Sequence, residues 1–482
     1  MLCLTGNEKC NTELLERLTR PVECPQPLVY EIRSDLLGEP PDFAGILSSG
    51  RKIIFTCRRT EEGGSFAGCE NERMQLFEKA LDFTPWAIDV EFDTAPDFRD
   101  TLIKKAQACG VKVILSKHFP RRCPDVCTEV NRLRSVEADY WKFVAPVDDS
   151  AELCEWLDIE NDGKLILIAS GAAGQISRFW YRRFASPFTY IAMDKSSTTA
   201  DFQPVLADVL NGRISFNDDD EAFLIMGGSQ IVNSRGPDVF NRLFVEKNFK
   251  GAYSLAIAEE PQGLLKLAEK LGVAGASVTK PLKEKIIPLL DSIDERTLKI
   301  SAVNTLCRDA DGWRGTNTDV VGFEGSLKKL YGGTPPHGQH ALLLGAGGAA
   351  RAVAYALLSS GFKVCVCNRT HVRAEKLASE FGLDVCNWED RGGIEFDLLV
   401  NSTSIGMDDP DSTPFPFIER LKGRRILDII SHPAETRLVL EARRAGTIAA
   451  MGGKVMWQYQ ALGQLDFWLG WKIALEELEE LT

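Results

Sequence analysis

The chain has 482 residues, 44% hydrophobic and 26% charged, the balance of an ordinary soluble globular protein and too long for one core, so two or three domains are expected. A formal charge of −13, from 56 basic against 69 acidic residues, argues against a nucleic-acid polyanion as the main partner. No run is apolar enough to span a bilayer and the opening MLCLTGNEKC does not read as a signal peptide, so a cytoplasmic protein acting on small molecules, of undetermined oligomeric state, is expected.

The 13 cysteines are odd in number and scattered, with no paired CxxC motifs; this predicts reduced thiols filling core space and no metal site. Histidine is scarce, with five in all and only His118 in the first 330 residues.

Eight short apolar runs open the chain, at 1–5, 28–33, 53–58, 87–92, 112–118, 140–146, 164–170 and 188–193. Amphipathic stretches such as RMQLFEKALD and VCTEVNRLRSVE lie between them. Near-continuous apolar strands alternating with helices predict an N-terminal parallel (β/α)8 TIM barrel over 1–213, closed by a helix at 203–212. An open doubly wound sheet has the same alternation; the count of eight favours the barrel. The acidic FNDDDE marks a linker at 214–221.

From Ala222 the pattern reads strand 222–227, helix 238–247, strand 252–258, helix 261–272 and strand 275–279. A Gly/Pro stretch at 331–339 precedes strand ALLLGAG, a helix to about Ser360 and strand KVCVCN. These segments predict a two-subdomain α/β dehydrogenase. Its first subdomain spans 222–330, completed by a C-terminal helix over 455–480, and a Rossmann-like nucleotide-binding subdomain spans 331–454.

In a barrel the C-terminal strand ends carry the site. They bear Glu31, Arg33, Arg58, Glu62, Glu91, His118, Lys142 and, after strand seven, Arg178. Charged groups ending apolar strands are costly unless a polar ligand uses them. Lys142 lies mid-run in YWKFVAP, where poor solvation favours the neutral amine that an imine-forming nucleophile needs. His118 ends the neighbouring strand and is placed to move protons.

This half resembles the type I 3-dehydroquinate dehydratase family: Glu31 and Arg33 in ExR, FTCRRTEEGG at 55–64, the strand-end histidine, ADYWKFVAP, and Gly174, Ser177 and Arg178 in GxxSR. The resemblance implies that Lys142 forms an imine with the substrate ketone, His118 removes the adjacent proton and Glu62 orients the histidine. It implies that Arg178 binds the carboxylate, with Glu31, Arg33 and Arg58 around the hydroxyls. The family's closing loop SAPGQ corresponds to SSTTADFQP, so the resemblance implies Thr199 and Gln203 as the loop's substrate contacts, with Phe202 at its glycine.

In the second half, GAGGAA follows an apolar strand and opens a helix, a context that predicts a dinucleotide pyrophosphate site at Gly345, Ala346, Gly347, Gly348 and Ala349. The next strand ends at Asn368, Arg369 and Thr370, with Arg373 close behind, where an NAD site would place an acidic residue. Arginine there pairs with a 2′-phosphate, which favours NADP. The motifs GASVTKPLKEK, SAVNT and GTNTDVVGF resemble those of shikimate dehydrogenase. That resemblance, over about 222–480, implies a catalytic pair of Lys283 and Asp319, substrate contacts from Ser234, Thr279, Asn304, Asp319 and Gln460, and a nicotinamide site lined by Thr403, Met407 and Gly453.

Three departures stand out. The family's SxSPxxHN retains Ser234 but has Gly236 for its second serine, DxxYxP has Ser431 for tyrosine, and NVT begins with Ser277. Each lost hydroxyl contact costs about 0.5–1.5 kcal/mol. Together the halves predict a bifunctional enzyme of the shikimate pathway, dehydrating 3-dehydroquinate and then reducing 3-dehydroshikimate with NADPH. A quinate-type dehydrogenase in the second half, a metabolite sensor with one non-catalytic half, and an imine-forming aldolase with an attached reductase are the alternatives.

Overall fold

A computed structural model describes residues 1–217 and 219–482; Asp218, within the expected linker, lies outside the described residues. The chain divides into two compact units, Met1–Val273 and Ala274–Thr482.

The first unit opens with eight parallel strands: β1 Leu2–Thr5, β2 Leu28–Arg33, β3 Ile53–Thr56, β4 Ala87–Glu91, β5 Lys112–His118, β6 Tyr140–Pro146, β7 Leu165–Ser170 and β8 Thr189–Ala192. They pair in the order β8-β1-β2-β3-β4-β5-β6-β7, a nearly closed barrel in place of the open-sheet alternative. Every expected strand is present within a few residues of its expected bounds. The runs carry no polar alternation because the outer faces are covered too: Ile88, Val90, Val113 and the helical Phe77, Leu102 and Ile103 form one buried layer. The helix expected at 203–212 is a short turn of helix, Leu206–Leu210, because Gly212 takes a left-handed φ of 71°.

Beyond the barrel come parallel strands β9 (Glu221–Gly227) and β10 (Gly251–Ile257), joined by the helix Gly236–Glu246. Asn241 is fully buried and clamps that helix to β10, donating to the Tyr253 carbonyl at 2.7 Å and accepting its N–H at 2.8 Å. The barrel is fastened to this pair through Ser150. Its buried hydroxyl donates to the Ala173 carbonyl at 2.7 Å and accepts the Ile257 N–H at 2.8 Å. Arg183 donates to the carbonyls of Asp220 and Leu271.

The second unit holds two sheets. In one, β11 (Val273–Val278, its first residue at the division) pairs antiparallel with β13 (Thr305–Asp309), which forms a hairpin with β14 (Gly312–Thr316); β14 pairs with the two-residue β12 (Ser292–Ile293). Sequence periodicity missed this hairpin, whose strands are short and partly exposed. The other sheet is parallel, in the order β17-β16-β15-β18-β19-β20, with β15 at His340–Leu344, β16 at Lys363–Cys367, β17 at Asp384–Val385, β18 at Leu398–Asn401, β19 at Arg425–Asp428 and β20 at Ala449–Met451. It is the expected Rossmann-like sheet. The single helix expected over 455–480 is two, Lys454–Leu469 and Leu475–Glu479, because Gly470 at φ 66° ends the first. Among the described residues no helix is long and apolar enough to cross a membrane.

Candidate active sites

The barrel site is built by side chains that the pleat turns inward. Lys142 is 3% exposed, and its Nζ donates to the Asp89 carboxylate and lies 3.4 Å from the Tyr190 hydroxyl. Asp89 also receives Arg58 Nη2 at 3.1 Å and the Ser116 hydroxyl at 2.6 Å. Burial pushes this carboxyl up, but Arg58 and Lys142 outweigh it and hold it at about 2. Asp89 lies inside its strand, away from the strand ends that sequence reasoning singles out. The signal for it was the alternation in AIDVE, which puts Asp89 and Glu91 on one face of β4.

His118 ends β5. Its Nδ1 lies 2.7 Å from Arg58 Nη1 and 3.1 Å from Glu62 Oε2, while its backbone N–H donates to the same Glu62 oxygen at 2.9 Å. A guanidinium can only donate, so Nδ1 accepts from Arg58 and the ring proton sits on Nε2; Glu62 competes for Nδ1 when the proton moves there. Desolvation, and then the charges of Arg58 and Lys142, hold the imidazole well below its usual range and therefore neutral. Burial, with the like charge of Glu91 adding, raises Glu62 to about 7 against the pull of Arg58.

Arg178 sits on the short helix Ile176–Phe179, 5% exposed and with no ion pair among the described residues; burial lowers it to about 10. The GxxSR motif is the device that aims it. A Cβ on Gly174 would meet the Ala169 carbonyl carbon at 2.6 Å, and the Ser177 hydroxyl pins the turn, donating to Gly174 O at 2.8 Å and accepting Ala169 N–H at 2.9 Å.

Other expected residues are engaged by the protein. Glu31 accepts the hydroxyls of Thr5 at 2.6 Å and Thr56 at 2.9 Å. Arg33 is held in a fork by Asp35, at 2.9 and 2.7 Å, and Asp35 also accepts the Ser65 N–H. Glu91 is bound by Arg59 and Arg73 and belongs to the wall. In the loop after β8, Gln203 Oε1 accepts both the N–H and the hydroxyl of Thr199, at 2.9 and 3.2 Å, and Phe202 takes a left-handed φ of 54°.

In the second unit a cavity of about 810 Å³ runs from Thr279, Lys283, Asp319 and Gln460 past Gly345–Ala349 to Asn368, Arg369 and Arg373, with Thr403, Met407, Ser431 and Gly453 along its wall. Lys283 Nζ lies 2.5 Å from Asp319 Oδ2, and Asn304 donates to the other Asp319 oxygen at 2.8 Å. Asn304 is buried and its Oδ1 accepts the Thr318 N–H at 2.7 Å, which turns an amide N–H to Asp319. Thr370 is off the cavity wall, at the N-terminus of the helix His371–Phe381. Lys376, unnoticed in the sequence, joins Arg369 and Arg373. Ser234 belongs to the first unit, where its hydroxyl accepts the Gly236 N–H at 3.2 Å.

This cavity fits a dinucleotide phosphate. Gly345, at φ 110°, would drive a Cβ to 2.6 Å from Ser402 Oγ, and the glycines admit a pyrophosphate to the N-terminus of the helix Gly348–Ser359. Three exposed cations, Arg369, Arg373 and Lys376, stand at the adenosine end where a 2′-phosphate needs them.

Residues 9–211 match the family described as type I 3-dehydroquinase, 226–306 the shikimate dehydrogenase substrate binding domain, and 332–405 shikimate / quinate 5-dehydrogenase. A bifunctional 3-dehydroquinate dehydratase/shikimate dehydrogenase of Arabidopsis thaliana, named as chloroplastic, is 30% identical over 453 residues, covering 88% of this chain and 74% of that protein. The chain belongs to the bifunctional 3-dehydroquinate dehydratase/shikimate dehydrogenase family. For the dehydrogenase half of this family, the solved shikimate dehydrogenase of Aquifex aeolicus matches with a TM-score of 0.52 at 33% identity, covering 55% of this chain and 98% of that one. A shikimate dehydrogenase solved with NADP+ matches with a TM-score of 0.51 at 30% identity, covering 55% and 95%.

Proposed function

We infer that the chain dehydrates 3-dehydroquinate to 3-dehydroshikimate in its barrel and reduces that product to shikimate, with NADPH, in its second half. The observation that carries the first activity is a buried lysine and a neutral histidine facing one barrel mouth, with Arg178 paired to no carboxylate among the described residues. Lys142 attacks the ketone and holds it as an imine, whose electron withdrawal acidifies the neighbouring C–H. Once the ring proton has moved from Nε2 to Nδ1, where Arg58 gives up its bond, His118 takes the substrate proton through Nε2, the nitrogen left clear of Arg58 and Glu62, and returns it to the departing hydroxyl as water leaves. Glu62 accepts Nδ1–H in that tautomer. Arg178 pairs with the substrate carboxylate as a fork.

For the second activity, bound NADPH supplies the hydride. Lys283 donates the proton to the carbonyl oxygen, with Asp319 holding the ammonium in place and Asn304 holding Asp319. Arg369, Arg373 and Lys376 take the 2′-phosphate, and Thr279 and Gln460 bind substrate hydroxyls.

The partners are these small molecules. A cytoplasmic setting rests on the odd, scattered set of 13 cysteines and the acidic composition. The domain assignment runs barrel 1–213, linker 214–221, substrate-binding 222–330 and nucleotide-binding 331–454.

Borohydride added with 3-dehydroquinate tests the first activity: mass mapping is expected to find one adduct, on Lys142, and an adduct elsewhere or none overturns it. NADPH oxidation by 3-dehydroshikimate tests the second, and no oxidation favours the sensor reading. Comparing kcat/KM for shikimate and quinate decides between the two dehydrogenase specificities.

A further inference from the structure

Among the described residues Lys142 Nζ has two hydrogen-bonding neighbours, and only one of them suits the chemistry that an imine demands. Converting an ammonium and a ketone into a protonated imine moves two protons from nitrogen to oxygen. The N–C bond forms, the C–O bond breaks, and the oxygen leaves as water carrying both. Something beside Nζ must take a proton and hand one on, twice, in a pocket where bulk water has little access.

Asp89 is a poor relay. It is 2% exposed and bound by Arg58 at 3.1 Å, by the Ser116 hydroxyl at 2.6 Å and by Lys142 itself, so its carboxylate stays ionised. His118 makes no hydrogen bond to Lys142 Nζ among the described residues, and its clear nitrogen, Nε2, serves as the base for carbon.

Tyr190, on β8, is the other neighbour. Its hydroxyl lies 3.4 Å from Nζ, and Nζ sits 4.5 Å from the centre of its ring. The ring is 5% exposed and packs against Phe188, at 5.7 Å between centroids, so the hydroxyl has little freedom to turn away. A phenol both donates and accepts, which a carboxylate fixed in two ion pairs does not. Burial, with Cys3, Glu31 and Asp89 nearby, holds this phenol's pKa well above the usual tyrosine range, so no free phenolate forms and the hydroxyl passes a proton on only as it takes one up.

We propose that Tyr190 is a catalytic residue of the dehydratase, its hydroxyl relaying protons from Lys142 Nζ to the departing carbonyl oxygen as the imine forms, and back as the imine is hydrolysed. In each transfer the phenol gives its own proton to oxygen and takes one from nitrogen, so it ends unchanged and no co-reactant is needed. The relay rests on the reading of Lys142 as the imine-forming residue.

The test is Tyr190→Phe, which removes one oxygen and keeps the ring, made in the full chain so that dehydrogenase activity in the same preparation reports an intact fold. Mixing with 3-dehydroquinate and quenching with borohydride at millisecond intervals gives the rate of adduct formation on Lys142. The variant is expected to form the adduct about 10- to 100-fold more slowly, with kcat falling alongside and KM within about two-fold of wild type. Wild type in D2O is expected to form it at least about two-fold more slowly than in water, and the variant to lose most of that isotope effect. An adduct formed by Tyr190→Phe at the wild-type rate, or no isotope effect in wild type, overturns the relay while leaving the imine intact. No adduct on Lys142 in wild type overturns the imine reading itself, and the relay with it.

Discussion

Lys283 and Asp319 lie 36 positions apart in the chain, and their charged atoms meet at 2.5 Å. The hairpin and helix N-terminus that bring Asp319 there also deliver Asn304, which occupies the second carboxylate oxygen, so the ammonium has one seat. Replacing Lys283 by alanine is expected to cost about 10²- to 10⁴-fold in kcat for shikimate formation. NADPH affinity is expected to stay near wild type, and so is dehydratase turnover in the same chain. A loss of NADPH binding instead would make Lys283 a structural charge.

Cofactor preference follows from Arg369, Arg373 and Lys376. Charge-assisted hydrogen bonds are worth about 1.5–3 kcal/mol each, roughly 10- to 100-fold in affinity. The double variant Arg369→Ala/Arg373→Ala is therefore expected to raise KM for NADPH by at least about tenfold and leave KM for NADH nearly unchanged. Equal effects on both cofactors would remove the 2′-phosphate from the account.

The architecture was legible because burial on both faces leaves an unbroken signature: eight apolar runs became eight strands, and GAGGAA after a strand became a helix N-terminus. What escaped had weaker local signals. Asp89 and Tyr190 lie inside strands, and their roles come from neighbours on other strands that no spacing reveals. Lys376 reads as one more charge on a solvated helix. Asn304 was legible as a motif residue but not as the group that fixes Asp319, since that depends on which way its amide points. The break at Gly470 was written plainly as a glycine, but a run of leucines and glutamates masked it.

Glu62 sets a pH dependence. Its carboxyl is raised to about 7, and it accepts Nδ1–H from His118 only when ionised. His118 itself is held well below its usual range and stays neutral. The dehydratase kcat/KM is expected to climb about tenfold per pH unit below about 7 and to level off above. Glu62→Gln is expected to flatten that limb at a lower plateau. A carboxyl raised in the folded state adds stability below its ordinary value of 4.5 and loses it as pH rises through about 7. Hence thermal unfolding should find Glu62→Gln gaining on wild type at about pH 8 and not at about pH 4.

Phe202 occupies a left-handed φ of 54° and is 41% exposed, so little packing offsets its strain. A non-glycine residue in that region costs about 1–2 kcal/mol. Phe202→Gly is expected to relieve some of it, seen as a Tm raised by a few degrees or unchanged, and to lower KM for 3-dehydroquinate as the Thr199–Gln203 loop closes more readily. A Tm that falls would mean the ring packs against something the loop needs.

The Ser150 hydroxyl joins two segments of chain that belong to different halves of the enzyme. The carbonyl it holds, Ala173, belongs to the turn that aims Arg178, and the amide it receives, Ile257, ends a strand of the dehydrogenase half. A gene cut in the acidic segment would part the Ile257 N–H from the Ser150 oxygen and the Leu271 carbonyl from Arg183. The natural modules of this chain are therefore not the pieces a sequence boundary suggests, and an engineer wanting a free dehydratase would have to redesign the seam before dividing it.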